Sequence, residues 1–344
     1  LPGMPTASED DSVIKAEEVQ EQFSPKDYIE SYYPKNIDIE KMCWALAKIQ
    51  SAFNGGGHAD IEDIAKETEM THEQVENVMI FDFQRVVAKK LLETFPKNHI
   101  RALDMGGGPT IYQHLAIALE TGDITHSEFL SQNREEVLKW LHKEEGAHNW
   151  DAYFIFVKKM LQADSGYQDV LTRQLVDTDP EVRDHARMVK AILEDSDIEI
   201  FKEYLRTIIG EKVVYGDVLR EDLGIVDDLF ELVNASSRES GVEVVTANFV
   251  VEAATDNKEK WQSAMKNILG KVKSGGFLAM TMVLNADWYL AGKKKLTTAN
   301  VSAEDIVQAY HDNGFTIVEL RTVSGSDSST VGYSGITFVL AQKI

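Results

Sequence analysis

Residues 99–120 constrain the fold most, because they combine a strand pattern, a three-glycine turn and a helix start. The strand pattern runs over 99–104 and ends in Asp104, and the glycines at 106–108 precede a helical pattern over 111–120. Glycine has no Cβ, so the backbone of this turn can approach a ligand closely. The following helix N-terminus offers unpaired N–H groups. Open α/β sheets bind nucleotides with this unit, although an ordinary tight turn has the same pattern.

The turn does not match the two common phosphate-binding fingerprints. The dinucleotide pattern needs a third glycine where Ile111 stands, and the phosphate loop needs a lysine after its last glycine, where Pro109 follows Gly108. The remaining acid and glycines suit a ligand that has an ammonium, a carboxylate and a ribose, as in S-adenosylmethionine. We expect Asp104 to face the ammonium and Glu128, which ends the next strand pattern, to hold the ribose hydroxyls.

Strand and helix patterns alternate from this point onward. Strands are predicted over 99–104, 123–129, 212–218, 242–249, 276–284, 315–323 and 335–342. Helices are predicted over 111–120, 132–143, 258–273 and 302–313. The alternation predicts an α/β fold with a Rossmann-like, seven-stranded, mostly parallel sheet. No helix separates the last two strands, which predicts a C-terminal antiparallel hairpin.

The chain divides into three regions by pattern. Residues 1–22 are acidic and polar, and we expect them to be disordered or tag-like. Residues 23–97 read as an N-terminal helical cap, either a lid or an accessory region. Residues 98–344 read as the ligand-binding domain, with a long acidic helical insertion at 152–210.

The helical cap raises a rival function. Residues 59–80, with Thr71 as a predicted N-cap, have the spacing of a helix-turn-helix, and 81–95 reads as a further helix. A regulatory protein that senses S-adenosylmethionine would combine this pair with the glycine turn. Charge argues against DNA binding, because 58–80 contains seven acids and one lysine.

Composition narrows the partners. The net charge of −22 predicts no nucleic-acid partner, and no apolar run reaches the length of a membrane helix. The single cysteine, Cys43, fits a reducing compartment, so we expect a cytoplasmic protein. We expect it to be a monomer or a homodimer. The charged run over 142–148 reads as a solvated helix end, and no metal is predicted.

Four blocks resemble one methyltransferase family. Residues 104–113 resemble the family block Asp-Ile-Gly-Ser-Gly-Pro-Thr-Ile-Tyr-Gln, and 23–33, 131–141 and 287–292 resemble three further blocks. The family contains the nicotinamide, phenylethanolamine and indolethylamine N-methyltransferases and a thioether S-methyltransferase. The resemblance implies S-adenosylmethionine as methyl donor, S-adenosylhomocysteine as product and a small molecule as acceptor.

The resemblance also carries cofactor contacts onto individual positions. With the turn glycines and acid proposed above, the predicted cofactor residues are Tyr28, Tyr33, Asp104, Gly106, Gly107, Gly108, Thr110, Tyr112, Glu128, Asn133, Asp217, Val218, Asn248 and Phe249. Asp217 ends a strand pattern and would accept a hydrogen bond from the adenine amino group. The alternative for Asp217 is a helix N-cap.

The resemblance also implies contacts with the methyl acceptor. Tyr28 and Tyr289 map onto the acceptor side, and Glu252 lies where amine-methylating members place an acid that could hold an ammonium or accept its proton. These three are the predicted catalytic residues. Trp288 is expected either to wall the pocket or to pack in the core, and Glu252 either to act or to be a solvated loop acid.

Two positions depart from the family pattern. Met282 stands where nicotinamide methyltransferases have an aspartate, and Ala286 where phenylethanolamine methyltransferases have a glutamate. We include both as acceptor-pocket positions. The sequence therefore predicts methylation of a small amine or aromatic nitrogen, with thioether or thiol S-methylation as the alternative.

Overall fold

The structure is a computed structural model that describes residues 13–14, 18, 22–54, 59–97, 100–225, 241–291, 294–324 and 332–344. His99 and most of residues 1–22 lie outside the described residues. The expectation that residues 1–22 are disordered or tag-like therefore stays a prediction.

Seven strands form one sheet, in the order β4-β3-β2-β5-β6-β10-β9. The described strands are β1 Val13–Ile14, β2 Arg101–Met105, β3 Asp123–Glu128, β4 Val213–Tyr215, β5 Val242–Asn248, β6 Val272–Leu284, β7 Trp288–Ala291, β8 Lys294–Thr297, β9 Phe315–Ser324 and β10 Gly335–Lys343. All neighbours in the large sheet pair in parallel except β10, which is antiparallel to both β6 and β9. The predicted Rossmann-like sheet with a C-terminal hairpin is confirmed.

Helices cover the chain before and between these strands. The described helices are α1 Pro25–Tyr32, α2 Ile39–Asn54, α3 Ile61–Thr68, α4 His72–Thr94, α5 Tyr112–Leu115, α6 Ser131–Leu141, α7 Asp151–Ala163, α8 Ser165–Gln174, α9 Pro180–Glu194, α10 Ile198–Ile209, α11 Lys258–Leu269 and α12 Ala303–Asp312. The helices α7 to α10 fall between β3 and β4, where the sequence predicts the insertion.

Two apolar layers hold the sheet. On one face, Trp261 of α11 and Tyr310 of α12 pack with β5, β6 and β10 residues. On the other, a larger core joins the cap helices and the insertion to the sheet, with Phe81, Phe154 and Phe277 among its buried members. Because one continuous core includes both the cap and the sheet, the cap helices are stabilised by the same apolar burial as the domain.

The helical cap differs from the sequence prediction at one point. The second helix of the expected helix-turn-helix and the helix predicted over 81–95 are one continuous helix, α4. Thr71 begins it as predicted, in a capping box with Gln74, and no glycine or proline interrupts it before Thr94. Residues 77–84 in its middle are buried, so this helix has no free face to enter a DNA groove.

A small second sheet lies beside the large one. Strands β7 and β8 form an antiparallel hairpin, and β1 pairs with β8 in parallel. The sequence patterns predict none of these three strands. Among the described helices, none is both long and apolar enough to cross a bilayer.

A buried ionic cluster fastens α4 to the sheet. Asp82 is fully buried and accepts hydrogen bonds from Gln50 at 2.9 Å, Arg85 at 2.8 Å and Arg321 of β9 at 2.6 Å. Arg85 also pairs with Asp164 at the end of α7. One carboxylate therefore joins α2, α4 and the edge of the sheet.

We predict that Asp82→Asn lowers the free energy of unfolding by about 3 kcal/mol, because it removes the buried anion that two partly buried guanidinium groups share. Urea unfolding monitored by circular dichroism measures the change. Asp312→Asn, at an exposed carboxylate, is the matched control and should change stability by no more than about 0.5 kcal/mol. Equal unfolding midpoints for the two variants would contradict the role assigned to Asp82.

Candidate functional site

The glycine turn follows β2 and has a backbone conformation that side chains rarely adopt. Gly106 and Gly108 have φ angles of +63° and +64°. A Cβ on Gly106 would lie 2.0 Å from Val250 Cγ2, and a Cβ on Gly107 would lie 2.2 Å from His126 Cε1. Gly106 and Gly108 are therefore needed for their backbone conformation. Gly106 and Gly107 are needed because neighbouring side chains leave no room for a Cβ.

Glu128 ends β3 and joins the glycine turn to α6. Its Oε2 accepts the Gly108 N–H at 2.9 Å, and its Oε1 accepts the Leu130 N–H at 2.8 Å and the Asn133 side-chain amide at 3.2 Å. Burial raises the pKa of this carboxyl, while these donors oppose the shift. The result is a carboxylate that is fixed in position before any ligand binds.

A cavity of about 320 Å³ opens at the carboxyl ends of β2, β3, β4 and β5. The predicted residues on its wall are Tyr28, Asp104, Gly106, Gly107, Gly108, Thr110, Tyr112, Glu128, Asn133, Asp217, Val218, Asn248, Phe249 and Tyr289. The sheet order reverses between β2 and β5, and open α/β sheets bind ligands at such a switch point. The volume lies within the range of about 300–1,000 Å³ typical of small-molecule sites.

Charge and unused polar atoms indicate what fits this cavity. Among the described residues on its wall, none is Lys, Arg or His, and the charged ones are Asp104, Glu128 and Asp217. Asn133 is buried, and its Oδ1 has no hydrogen-bond partner in the described part of the chain. An unpaired buried acceptor is costly, so a ligand that donates a hydrogen bond fits here. A pyrophosphate does not, whereas a sulfonium nucleoside with ribose hydroxyls does.

Asp104 lies under the turn and not free in the cavity. Its Oδ1 accepts a hydrogen bond from Thr246 Oγ1 at 2.7 Å, and its Oδ2 accepts one from Gln113 Nε2 at 3.0 Å. Burial raises the pKa of this carboxyl to about 7, although the two hydrogen bonds oppose the shift. Gln113 also donates to the carbonyls of Gly107 and Thr110, which closes the turn.

Two histidines lie behind the same carboxylate. His114 Nε2 lies 3.0 Å from His126 Nδ1, and these atoms lie 3.7 Å and 3.6 Å from Asp104 Oδ2. Burial lowers the pKa of His126 to about 4 and that of His114 well below its usual value, so both rings are neutral. The sequence analysis missed this cluster, because its members are ten and twelve residues apart on three different elements.

Aromatic side chains cover the cavity. Tyr28 of α1 lies against Phe23 and Tyr32, with ring centroids 5.6 Å and 4.9 Å away. Tyr289 and Leu296 of the β7–β8 hairpin pack in the same apolar cluster. The Tyr32 hydroxyl donates to the Leu290 carbonyl at 2.8 Å, so α1 and the hairpin form one cover, which we call the aromatic cover.

Tyr28 and Tyr289, two of the three tyrosines on the cavity wall, are neutral phenols at physiological pH. Burial raises the pKa of Tyr28 to about 12, with a further contribution from the charge of Glu128. Burial also raises the pKa of Tyr289, again with the charges of neighbouring groups. Neutral phenols present hydrogen-bonding hydroxyls and π faces, which favour cationic groups.

The strand ends provide the remaining wall. Phe249, after β5, has a φ of +56°, a strained value for a large residue. Such strain clusters at ligand sites, where the surrounding structure enforces it. Asp217, after β4, accepts the Leu219 N–H at 3.0 Å, which holds this carboxylate at the end of the strand.

Five predicted site residues do not line the cavity, namely Tyr33, Glu252, Met282, Ala286 and Trp288. Tyr33 is buried and stacks on Tyr112, with centroids 4.5 Å apart, so it supports a wall residue. Met282 and Ala286 are buried, and Met282 packs in the core on the far face of the sheet. Trp288 is half-buried, with Lys295 over its ring at 4.8 Å.

Glu252 lies behind the wall that Ala253 and Ala254 form. It is 1% exposed, and its Oε1 accepts the Val283 N–H at 2.9 Å. Burial raises the pKa of this carboxyl to about 8, so it is protonated at neutral pH. The expectation of a solvated loop acid is wrong, and any effect of Glu252 on an acceptor would act through its neighbours.

Sequence reasoning also missed Phe23 and Leu296 as wall residues. Leu296 belongs to the hairpin, and Gly292 between the apolar run 288–291 and Leu296 is the turn signal that could have revealed it. Phe23 lies in a block that carries the family resemblance, without a role of its own there.

The chain is similar in sequence to several known methyltransferases. The NNMT/PNMT/TEMT family model matches residues 66–344. Indolethylamine N-methyltransferase of Oryctolagus cuniculus is 26% identical over 95% of both chains. Phenylethanolamine N-methyltransferase of Homo sapiens is 28% identical over 74% of this chain and 78% of its own. A solved SAM-dependent methyltransferase from Methanosarcina mazei is 10% identical, with a TM-score of 0.37 over 74% of this chain and 97% of its own.

We predict opposite preferences at the second and third turn glycines. At Gly108 the φ of +64° sets the cost and a Cβ meets no atom within 4 Å, so Gly108→Asn should be milder than Gly108→Ala. At Gly107 crowding against His126 and Asp104 sets the cost, so Gly107→Ala should be milder than Gly107→Asn. Unfolding free energies of the four variants measure the order. The same order at both glycines would contradict the geometry of the turn.

We predict that Glu252→Gln gains stability relative to the wild type as pH rises from about 4.5 to about 8. In this window the unfolded carboxyl releases its proton while the folded one keeps it, so the wild-type free energy of unfolding falls by up to about 1.4 kcal/mol per pH unit. Below and above this window the difference between the two proteins should not change with pH. Urea unfolding at several pH values tests this, and a constant difference throughout would contradict the raised pKa.

Proposed function

The chain belongs to the NNMT/PNMT/TEMT family, and we propose that it methylates a small neutral or positively charged amine or aromatic nitrogen. Family membership makes the protein a methyltransferase that uses S-adenosylmethionine. When bound, this cofactor supplies a methyl group on a positively charged sulfur. The observation that carries the acceptor proposal is a cavity with an aromatic cover and without a described basic side chain on its wall.

The donor half of the cavity suits the methyl donor. Glu128 has the fixed carboxylate that ribose hydroxyls require, and Asn133 has the unpaired acceptor beside it. Asp217 and Val218 extend this wall toward the end of β4, in the direction proposed for the adenine. Gly108, where a Cβ would meet no protein atom within 4 Å, leaves the backbone of the turn open to a ligand.

The acceptor half suits an aromatic or apolar amine. Tyr28, Tyr289, Phe23 and Leu296 surround it with rings and apolar surface. A ring nitrogen or a small ammonium is stabilised next to such rings through stacking and cation–π contacts. The hydroxyls of Tyr28 and Tyr289 supply neutral hydrogen bonds that orient it.

The chain contributes positioning more than proton chemistry. The described carboxylates on the wall already accept hydrogen bonds around the turn and strand ends. Glu252, the predicted general base, lies behind the wall and is protonated. The protein therefore aligns the nucleophile and excludes water, and an amine acceptor reacts as the free base.

A second candidate follows from the same observation. A thioether needs no deprotonation before it attacks, so a cavity without an available base also suits S-methylation. The soft, apolar surroundings of the acceptor half favour a sulfur atom as well as a ring nitrogen. Amine and thioether methylation predict different products, which one experiment separates.

The experiment incubates the protein with S-adenosylmethionine labelled in its methyl group and a panel of amines, azines and thioethers. We expect labelled product from members of the amine and azine groups. Label in thioethers alone would replace the proposal with the second candidate. Tyr289→Phe is a matched probe, since it keeps the ring and removes only the hydroxyl that orients the acceptor.

We predict strong discrimination against acceptors that carry a carboxylate. Matched pairs that differ only by an added carboxylate should show kcat/KM at least about 10-fold lower for the acid, because three carboxylates and no described cation line the cavity. Initial rates at two salt concentrations measure the ratio. Equal values for the two members would contradict the charge argument.

We also propose that the protein works in a reducing compartment such as the cytoplasm. The single cysteine, Cys43, supports this, because the chain cannot form an internal disulfide.

A further inference from the structure

The cluster of Asp104, His114 and His126 lies directly under the glycine turn and brings together three side chains of the types that bind metal ions. Three ligand atoms converge there, namely Asp104 Oδ2, His114 Nε2 and His126 Nδ1. Their separations are 3.0 Å between the nitrogens and 3.7 Å and 3.6 Å from the nitrogens to the oxygen. All three side chains are buried.

These separations match the donor spacing of a transition-metal site. A point about 2.0 Å from each of the three atoms exists, because the sides of their triangle are 3.0, 3.6 and 3.7 Å. Zinc binds histidine nitrogen at about 2.0–2.1 Å and carboxylate oxygen at about 2.0–2.2 Å. One ion can therefore contact all three atoms without movement of the backbone.

The surroundings orient two of the ligands. His126 Nε2 lies 3.2 Å from the Gly108 carbonyl, which requires a proton on Nε2 and leaves the lone pair of Nδ1 directed toward the cluster. Histidine ligands commonly donate their second ring N–H to a carbonyl in this way. Asp104 Oδ2 accepts one hydrogen bond from Gln113, so it has a second lone pair available.

We propose that Asp104, His114 and His126 bind one divalent transition-metal ion, with Zn²⁺ as the preferred ion. Two imidazoles and one carboxylate favour zinc over Mg²⁺ and Ca²⁺, which prefer oxygen ligands. Three protein ligands leave a fourth position for water. This site goes beyond the proposed function, since nothing in methyl transfer from a sulfonium calls for a metal.

The ion would stabilise the turn that forms the cavity wall. The carbonyl of Gly108 contacts His126, while the N–H of the same residue contacts Glu128. A metal that fixes His126 thereby restrains Gly108, whose N–H orients the Glu128 carboxylate. Binding at the two sites is then coupled, and thermodynamic linkage requires the coupling to be equal in both directions.

The experiment uses the full chain purified without a histidine tag. Metal content is measured by inductively coupled plasma mass spectrometry, and Zn²⁺ binding to chelator-treated protein by calorimetry. We expect about one Zn²⁺ per chain. Co²⁺ should show the visible absorption of a low-coordinate site and not that of octahedral Co²⁺ in buffer.

Substitutions locate the ion. His114→Gln and His126→Gln should each weaken Zn²⁺ binding by more than about 100-fold, beyond the 10–100-fold that follows loss of an outer-shell partner. His311→Gln, at an exposed histidine of α12, is the matched control and should bind as the wild type does. Circular dichroism verifies folding, and the wild-type stoichiometry decides the question if a variant does not fold.

Two results would overturn the site: wild-type protein that shows no saturable Zn²⁺ binding, or His311→Gln that loses as much affinity as the cluster variants. The first result would leave the three side chains as a metal-free hydrogen-bonded group. Both readouts measure the metal itself, so they stay informative even if the proposed acceptor is wrong.

Discussion

The fixed carboxylate of Glu128 is the interaction on which the site depends. It accepts N–H groups from Gly108 and Leu130, and thereby joins the glycine turn after β2 to the start of the helix after β3. Neither segment has a regular partner for these donors, so the carboxylate satisfies both. The shape of the donor half of the cavity follows from this pairing of two adjacent parallel strands.

The large sheet could be predicted well from the sequence, because most of its strands are clear apolar segments that helices separate. The predicted strand at 242–249 differs from the observed β5 by one residue, and the predicted hairpin at 315–342 pairs as expected. The glycine turn and Glu128 were predictable, because the turn follows β2, Glu128 ends β3, and these parallel strands end at the same edge of the sheet. The residue types near each turn and the order of strands and helices along the chain were enough to predict these features.

Other features depend on contacts that no local pattern contains. Glu252 was expected at the surface or in the pocket, but tertiary packing buries it against Val283 of β6. The two predicted helices form the single helix α4, because residues along its length are buried and no residue in the segment breaks the helix. His114 and His126 meet only because α5 folds back over β3. Each case requires the three-dimensional arrangement of distant segments.

The aromatic cover links function to the cap. Tyr28 closes the cavity from α1, and the Tyr32 hydroxyl fastens that helix to the β7–β8 hairpin. We expect both elements to move away from the cavity when ligands exchange. The buried Asp82 cluster joins α2 and α4 to the sheet. The acceptor half is therefore formed by α1 of the cap together with the β7–β8 hairpin.

The most direct measurement of the central claim is calorimetric binding of S-adenosylhomocysteine and of NAD to the wild type and to Glu128→Ala. The account predicts that S-adenosylhomocysteine binds the wild type and NAD does not. It also predicts that the variant loses about 1–3 kcal/mol of binding free energy, since the ribose hydroxyls lose their acceptor. Binding of NAD in place of S-adenosylhomocysteine would contradict this prediction. Equal affinity of the wild type and of Glu128→Ala for S-adenosylhomocysteine would also contradict it.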